Sequence, residues 1–220
     1  MKDIEDFFPL SPMQQGMLFH TLYEPEAEAY FEQLSFAVRG GFDTRAFERA
    51  WEQVVSRHQA LRSSFRWEGL KEPVQVIHRQ AKPEVERHDW RNAPADERTA
   101  RLEELLRADR QRGFNLSLAP LMRLIIVRMK EDEYQVVWSH HHLLMDGWSV
   151  PIIFNEVVAY YTAYNQGREL QLDVPRPYRD YIAWLKRQDM KRAQAFWREQ
   201  LRGFTAPTPL GEGQPPEDET

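Results

Sequence analysis

Leu34, Phe36 and Val38 alternate with Gln33, Ser35 and Arg39, the period-two pattern of a strand with one buried face. Asp43 then opens a helix in which Phe47, Ala50, Trp51, Val54, Val55 and His58 share one side, and Phe42 with Phe47 fits a hydrophobic staple. Upstream, Met13 to Leu22 reads as a short helix with Ser11 as cap and Pro12 in its first position. Downstream, Arg62 to Trp67 and Val74 to His78 read as strands around a Glu68-Gly69 turn, and Val85 to Trp90 as a further strand. Pro94 to Arg112 predicts a charged helix with Leu102, Leu105 and Leu106 on its apolar face and Gly113 at its end. Two long apolar runs, Leu121 to Met129 and Tyr134 to His141, are joined by Lys130-Glu131-Asp132-Glu133. They predict a hairpin buried on most faces, and so the centre of a sheet. Helical segments covering Ser149 to Tyr164 and Tyr178 to Leu201 complete a mixed α/β pattern.

Composition narrows the classes. A chain of 220 residues can bury a full core. A net charge of −5 argues against a general nucleic-acid binder. No apolar run is long enough to cross a bilayer, and the acidic start Met1-Lys2-Asp3-Ile4-Glu5-Asp6 does not read as a secretion signal. The absence of cysteine excludes disulfides, thiolate catalysis and zinc-thiolate sites, so a cytoplasmic protein is the simplest expectation. From Thr205 to Thr220 the chain holds four prolines and four acids but one leucine, which predicts a linker or tail after a domain spanning 1–204.

The chemistry concentrates in Ser139-His140-His141-His142-Leu143-Leu144-Met145-Asp146-Gly147-Trp148-Ser149. A strand delivers three histidines to its rim, and a polar turn then leads into a helix. Histidine suits proton handling near neutral pH. Strand alternation points His141 away from His142 and leaves His140 on the His142 side. Gly147 is expected to take a positive φ, Ser149 to cap the helix and Trp148 to pack. A metal held by His140, His142 and Asp146 finds no further ligand in the chain. Ser149 lacks the surroundings of a nucleophile elbow. Glu103-Glu104 and the Arg107, Arg110, Arg112 cluster read as solvated helix surface.

The His141-His142-x-x-x-Asp146-Gly147 core resembles the signature of condensation domains of nonribosomal peptide synthetases. Three more segments agree in order: Ser11 to His20, Arg57 to Phe65, and Pro177 to Trp184. The resemblance runs from about Ile4 to Phe204 and lacks the motifs of the family's second half. It implies a chloramphenicol-acetyltransferase-like half-domain, with a mixed, largely antiparallel sheet and helices packed against it. It further implies amide formation by attack of a carrier-bound amine on a carrier-bound thioester. No cofactor is implied, because the substrates hang on phosphopantetheine arms. By position His142 is the catalytic histidine, His141 is structural, and Asp146 forms a structural ion pair with Arg62. Gly147 either supplies the turn or lets a backbone N–H approach the reacting carbonyl. The expected partners are the C-terminal half of the domain, donor and acceptor peptidyl carrier proteins and an adenylation domain. Two other readings stay open: a coenzyme-A-dependent acyltransferase with a related motif, and a non-catalytic folding or docking module.

Overall fold

The computed structural model describes residues 3–24 and 28–206. The described residues form two compact units, divided between Ala183 and Trp184. In the first, strand β1 (Ile4–Pro9) leads to helix α1 (Pro12–Tyr23), then β2 (Phe31–Arg39) and α2 (Thr44–Arg57). A short 3-10 turn, Gln59–Arg62, enters β3 (Ser63–Arg66), which is followed by β4 (Val74–His78), β5 (Glu84–Asp89) and α3 (Ala95–Arg112). The hairpin β6 (Met122–Lys130) and β7 (Glu133–His141) precedes α4 (Ser149–Asn165) and α5 (Tyr178–Leu185), within whose last turn the division falls. In the second unit, α6 (Met190–Gln200) starts at Asp189, whose carboxylate accepts the Arg192 N–H. The tail expected from Thr205 lies, from 207 onward, outside the described residues.

The strands form two sheets. One is antiparallel in the order β1-β4-β3; the other runs β2-β7-β6-β5, antiparallel except where β5 lies parallel to β6. The β6–β7 hairpin is therefore central, as its continuous apolar runs require. Leu124, Ile126, Val136 and Trp138 face α2 and α4, and the Trp51 and Trp138 rings meet at 4.7 Å. Ile125, Val127 and Val137 pack against Leu105 and Leu106 of α3 on the opposite face.

Local signals explain the helix ends. Ser11 and Gln14 complete a reciprocal capping box at α1, and Asp43 accepts the Arg45 and Ala46 N–H groups at α2. The charged helix α3 carries one buried polar side chain, Asp109. It pairs with Arg123 of β6 and accepts from Ser139 Oγ at 2.5 Å and Gln33 Nε2 at 2.6 Å. Arg123 also donates to the Gly113 carbonyl at 2.7 Å and lies 4.4 Å from the Phe114 ring centroid. Arg110, expected to be solvated, donates to Gln33 Oε1 at 2.6 Å and so joins this network.

Candidate active site at the end of the central hairpin

The last pairing of β7 sets His141 opposite Phe31, and the His142 N–H then donates to the Tyr30 carbonyl at 2.9 Å as the chain turns away. His140 is buried and stacks on Trp138 with centroids 4.7 Å apart; its Nδ1 has no partner among the described residues. His141 is held at both nitrogens. The Leu143 N–H donates to Nδ1 at 3.2 Å, so Nδ1 is unprotonated and Nε2 carries the hydrogen toward Thr21 Oγ1, 3.4 Å away. Thr21 can accept because its own hydroxyl donates to the Met17 carbonyl. Burial, with a smaller contribution from His142, pushes both His140 and His141 down to about 4. His142 differs: its side chain is 27% exposed, and Nδ1 lies 3.7 Å from Glu32 Oε1, beyond hydrogen-bond reach.

Four expectations for the loop change. Ser149 does not cap α4: Trp148 holds the N-cap position without a side-chain cap, and Asp146 Oδ1 accepts the Ser149 N–H at 3.0 Å and the Ser149 hydroxyl at 2.7 Å. That hydroxyl contact, partly opposed by burial, holds the Asp146 carboxyl below its ordinary range. Asp146 and Arg62 do not pair. Buried Arg62 instead donates from Nη1 to Glu5 Oε2 at 2.7 Å and to the His78 carbonyl. Strand β1, unread in the sequence, brings Glu5 to Arg62. Gly147 takes no positive φ, because the chain approaches α4 in right-handed geometry, with Trp148 at φ −73° and ψ −26°. A Cβ at Gly147 would meet nothing within 4 Å. Trp148 does not pack; it is 87% exposed.

His141 and His142 line different cavities. His141 borders one of about 660 Å³ together with Thr21, Tyr30, Arg110 and Phe114. His142 borders another of about 650 Å³, whose wall includes Gln14 of the first motif segment, His58 and Leu61 of the second, Asp146 and Tyr178. Arg62 lies outside that wall. Gln14 ties these parts together, since its Nε2 donates to Gln75 Oε1 (3.0 Å) and to the Leu143 carbonyl (3.2 Å). Its Oε1 accepts the Ser11 N–H (3.1 Å) and the Tyr178 hydroxyl (3.4 Å). Burial raises the Tyr178 phenol. Behind the cavity, Glu156 of α4 receives Arg57 Nε and His58 Nε2, each at 2.7 Å. Burial raises its carboxyl, but these contacts outweigh that and leave it lowered. Gln14, His58 and Tyr178 carry no role predicted from sequence, although the motif segments contain all three. Among the described residues no cluster of three or more His, Asp or Glu could hold a metal ion, and no helix is long and apolar enough to cross a membrane.

With the hairpin, its terminal histidines and the Asp-Gly turn into α4 described, the chain can be compared with known proteins. The family profile described as "Condensation domain" matches residues 4–220, and the chain belongs to that family. It is 39% identical over 208 residues to bacitracin synthase 3 of Bacillus licheniformis, covering 94% of this chain and 3% of that protein. It is 35% identical over 209 residues to tyrocidine synthase 2 of Brevibacillus parabrevis, covering 95% of this chain and 6% of that one. The chain thus spans only a small part of these relatives. The solved starter condensation domain of rhizomide synthetase RzmA shares the fold, with a TM-score of 0.78 at 22% identity, covering 92% of this chain and 50% of that one. The EpoB cyclization-docking bidomain from Sorangium cellulosum gives 0.77 at 24%, covering 94% and 42%. These likenesses establish a condensation-domain fold of the chloramphenicol-acetyltransferase-like, α/β type.

Proposed function

We propose that the cavity beside His142 is where an amine and an acyl thioester, each carried on the phosphopantetheine arm of a carrier protein, are joined into an amide. One observation supports this most directly: the segments that resemble four separate family motifs converge on this one cavity. In the reaction the amine nitrogen bonds to the thioester carbonyl carbon, the carbon–sulfur bond breaks, and the sulfur departs as a thiol with the proton the amine gives up. The thioester is already activated, so orientation, proton handling and oxyanion stabilisation are what the protein must supply. His142 is the group proposed to hold or relay the amine proton, being the histidine of the three whose ring reaches the cavity with solvent access. His141 sets the loop through Leu143, and Asp146 sets it through Ser149. Gly147 leaves open space in which a reacting carbonyl can approach the backbone. Arg62 braces β1 and β4 at a distance from the chemistry.

The proposed partners are donor and acceptor carrier proteins, an adjacent adenylation domain and the C-terminal half of a condensation domain. The last is supported by the chain's covering half of a solved starter domain. Holding two arms in register needs walls on both sides, so this chain alone is expected to be inactive. The test is incubation with loaded donor and acceptor carriers, with and without the complementary half, followed by mass spectrometry of the acceptor arm. Product only with both halves supports the reading. Product from this chain alone favours a self-sufficient acyltransferase, and no product under any condition favours a docking module.

A further inference from the structure

We propose that the cavity beside His142 is also a side-chain pocket that selects an apolar substituent on the substrate next to the reacting centre. This rests on the reaction reading above and adds a substrate class to it.

The wall of the cavity is apolar at its base and adaptable at its sides. Leu61 and Ile153 are buried members of the core and form fixed floor, whereas Met17 of α1 and Met145 of the His142 loop are half-buried and unbranched. Methionine side chains reshape around ligands of different outline, which suits a family of apolar substituents better than a single one. Apart from His142, which the reaction reading uses, the main polar groups on the same wall are already engaged. Gln14 uses both ends of its amide on Gln75, Leu143, Ser11 and Tyr178. Asp146 is bound to Ser149, and His58 Nε2 to Glu156. A polar substituent entering here gives up water and finds few groups to replace it, which is unfavourable. A carboxylate meets, in addition, the negative charge of Asp146 on the same wall. A volume of about 650 Å³ leaves room for a large side chain beside the reacting atoms.

The test uses three nearly isosteric probes: leucyl, asparaginyl and aspartyl thioesters of N-acetylcysteamine. They are titrated into this chain carrying ¹³C-methyl methionine, with the Met17 and Met145 signals assigned through Met17→Leu and Met145→Leu. The leucyl probe should move both methyl signals saturably and bind at least about tenfold more tightly than the asparaginyl probe, with the aspartyl probe weakest. Met145→Lys, which places a cation on the wall, should narrow or reverse the leucyl-over-aspartyl preference. Equal affinities for the three probes, or leucyl binding that leaves Met17 and Met145 unmoved, or no leucyl binding, would overturn the pocket. Condensation assays with a complete domain separate the two readings. Turnover that is indifferent to the substituent sinks the pocket alone. An inactive complete domain sinks the reaction, whatever the probes do.

Discussion

The side-chain amide of Gln14 holds the carbonyl of Leu143 at 3.2 Å, fixing the residue that follows His142 from a helix 129 positions earlier in the chain. The loop's conformation is thus set from outside as well as by its own turn. Because the same amide engages Gln75 and Tyr178, helix α1, strand β4 and the entry to α5 are all registered against the histidine loop.

Gln14→Leu should therefore disturb the histidine loop as well as the cavity wall that Gln14 helps to form. It leaves the Leu143 carbonyl and Gln75 without a donor in a buried setting, at a cost of about 1–3 kcal/mol. The denaturant midpoint should fall, and turnover by a complete domain should fall further than the loss of folded protein explains. An unchanged midpoint would show that water replaces the amide.

Much of this arrangement is legible in the sequence. The hairpin, the staple between Phe42 and Phe47, and the cap at Ser11 are local patterns with one structural solution. Strand β1 escapes the pattern because it is an edge strand with one buried side chain, Phe8, and so shows little alternation. Without that strand, Glu5 is out of view and Asp146 stands as the wrong partner for Arg62. The Asp109–Arg123 pair is equally invisible. Asp109 is one acid among many on α3, and only the docking of that helix over Ser139 and Gln33 distinguishes it. At Gly147 the sequence suggests a conformational need, whereas the helical approach to α4 meets none.

Arg62 and Asp146 should behave as independent sites. Arg62→Ala removes a partner of Glu5, which keeps Gln59, and of the His78 carbonyl, while Asp146→Ala removes two hydrogen bonds to Ser149 at the start of α4, each worth about 0.5–1.5 kcal/mol. A denaturation cycle on Arg62→Ala, Asp146→Ala and the double variant should give additive losses within about 0.5 kcal/mol. The matching cycle of Arg62→Ala with Glu5→Ala should be clearly non-additive. Strong coupling between Arg62 and Asp146 would mean that the two residues meet.

His140 and His141 predict an acid limb in stability. Both fall from 6.5 to about 4 in the folded chain, first through burial, so the unfolded chain binds more protons between those values. Their contribution is fully present above pH 6.5, is lost as the pH falls toward 4, and does not change further below that. Each can add a slope of up to about 1.4 kcal/mol per pH unit inside this window. Chemical denaturation at a series of pH values should show the limb, and His141→Asn, which retains an acceptor for the Leu143 N–H, should flatten it. A variant with an unaltered slope would show that His141 does not titrate differently on folding.

His142 carries the sharpest expectation. The backbone of His142 is held by the Tyr30 carbonyl, and its ring makes no hydrogen bond short enough to matter for folding. His142→Ala should therefore leave the denaturation midpoint within about 0.5 kcal/mol of the parent, as for surface substitutions. In a complete domain the same change should lower the rate of amide formation by about 10²–10⁴, the usual cost of losing one acid–base group. His141→Ala should show the opposite balance, because it leaves the Leu143 N–H without its acceptor, removes the contact to Thr21 and acts first on stability. Measuring both variants by single-turnover transfer between loaded carriers, alongside their melts, separates chemistry from folding. A folded His142→Ala domain that condenses at the parental rate would remove His142 from the reaction and leave the cavity as a binding site only.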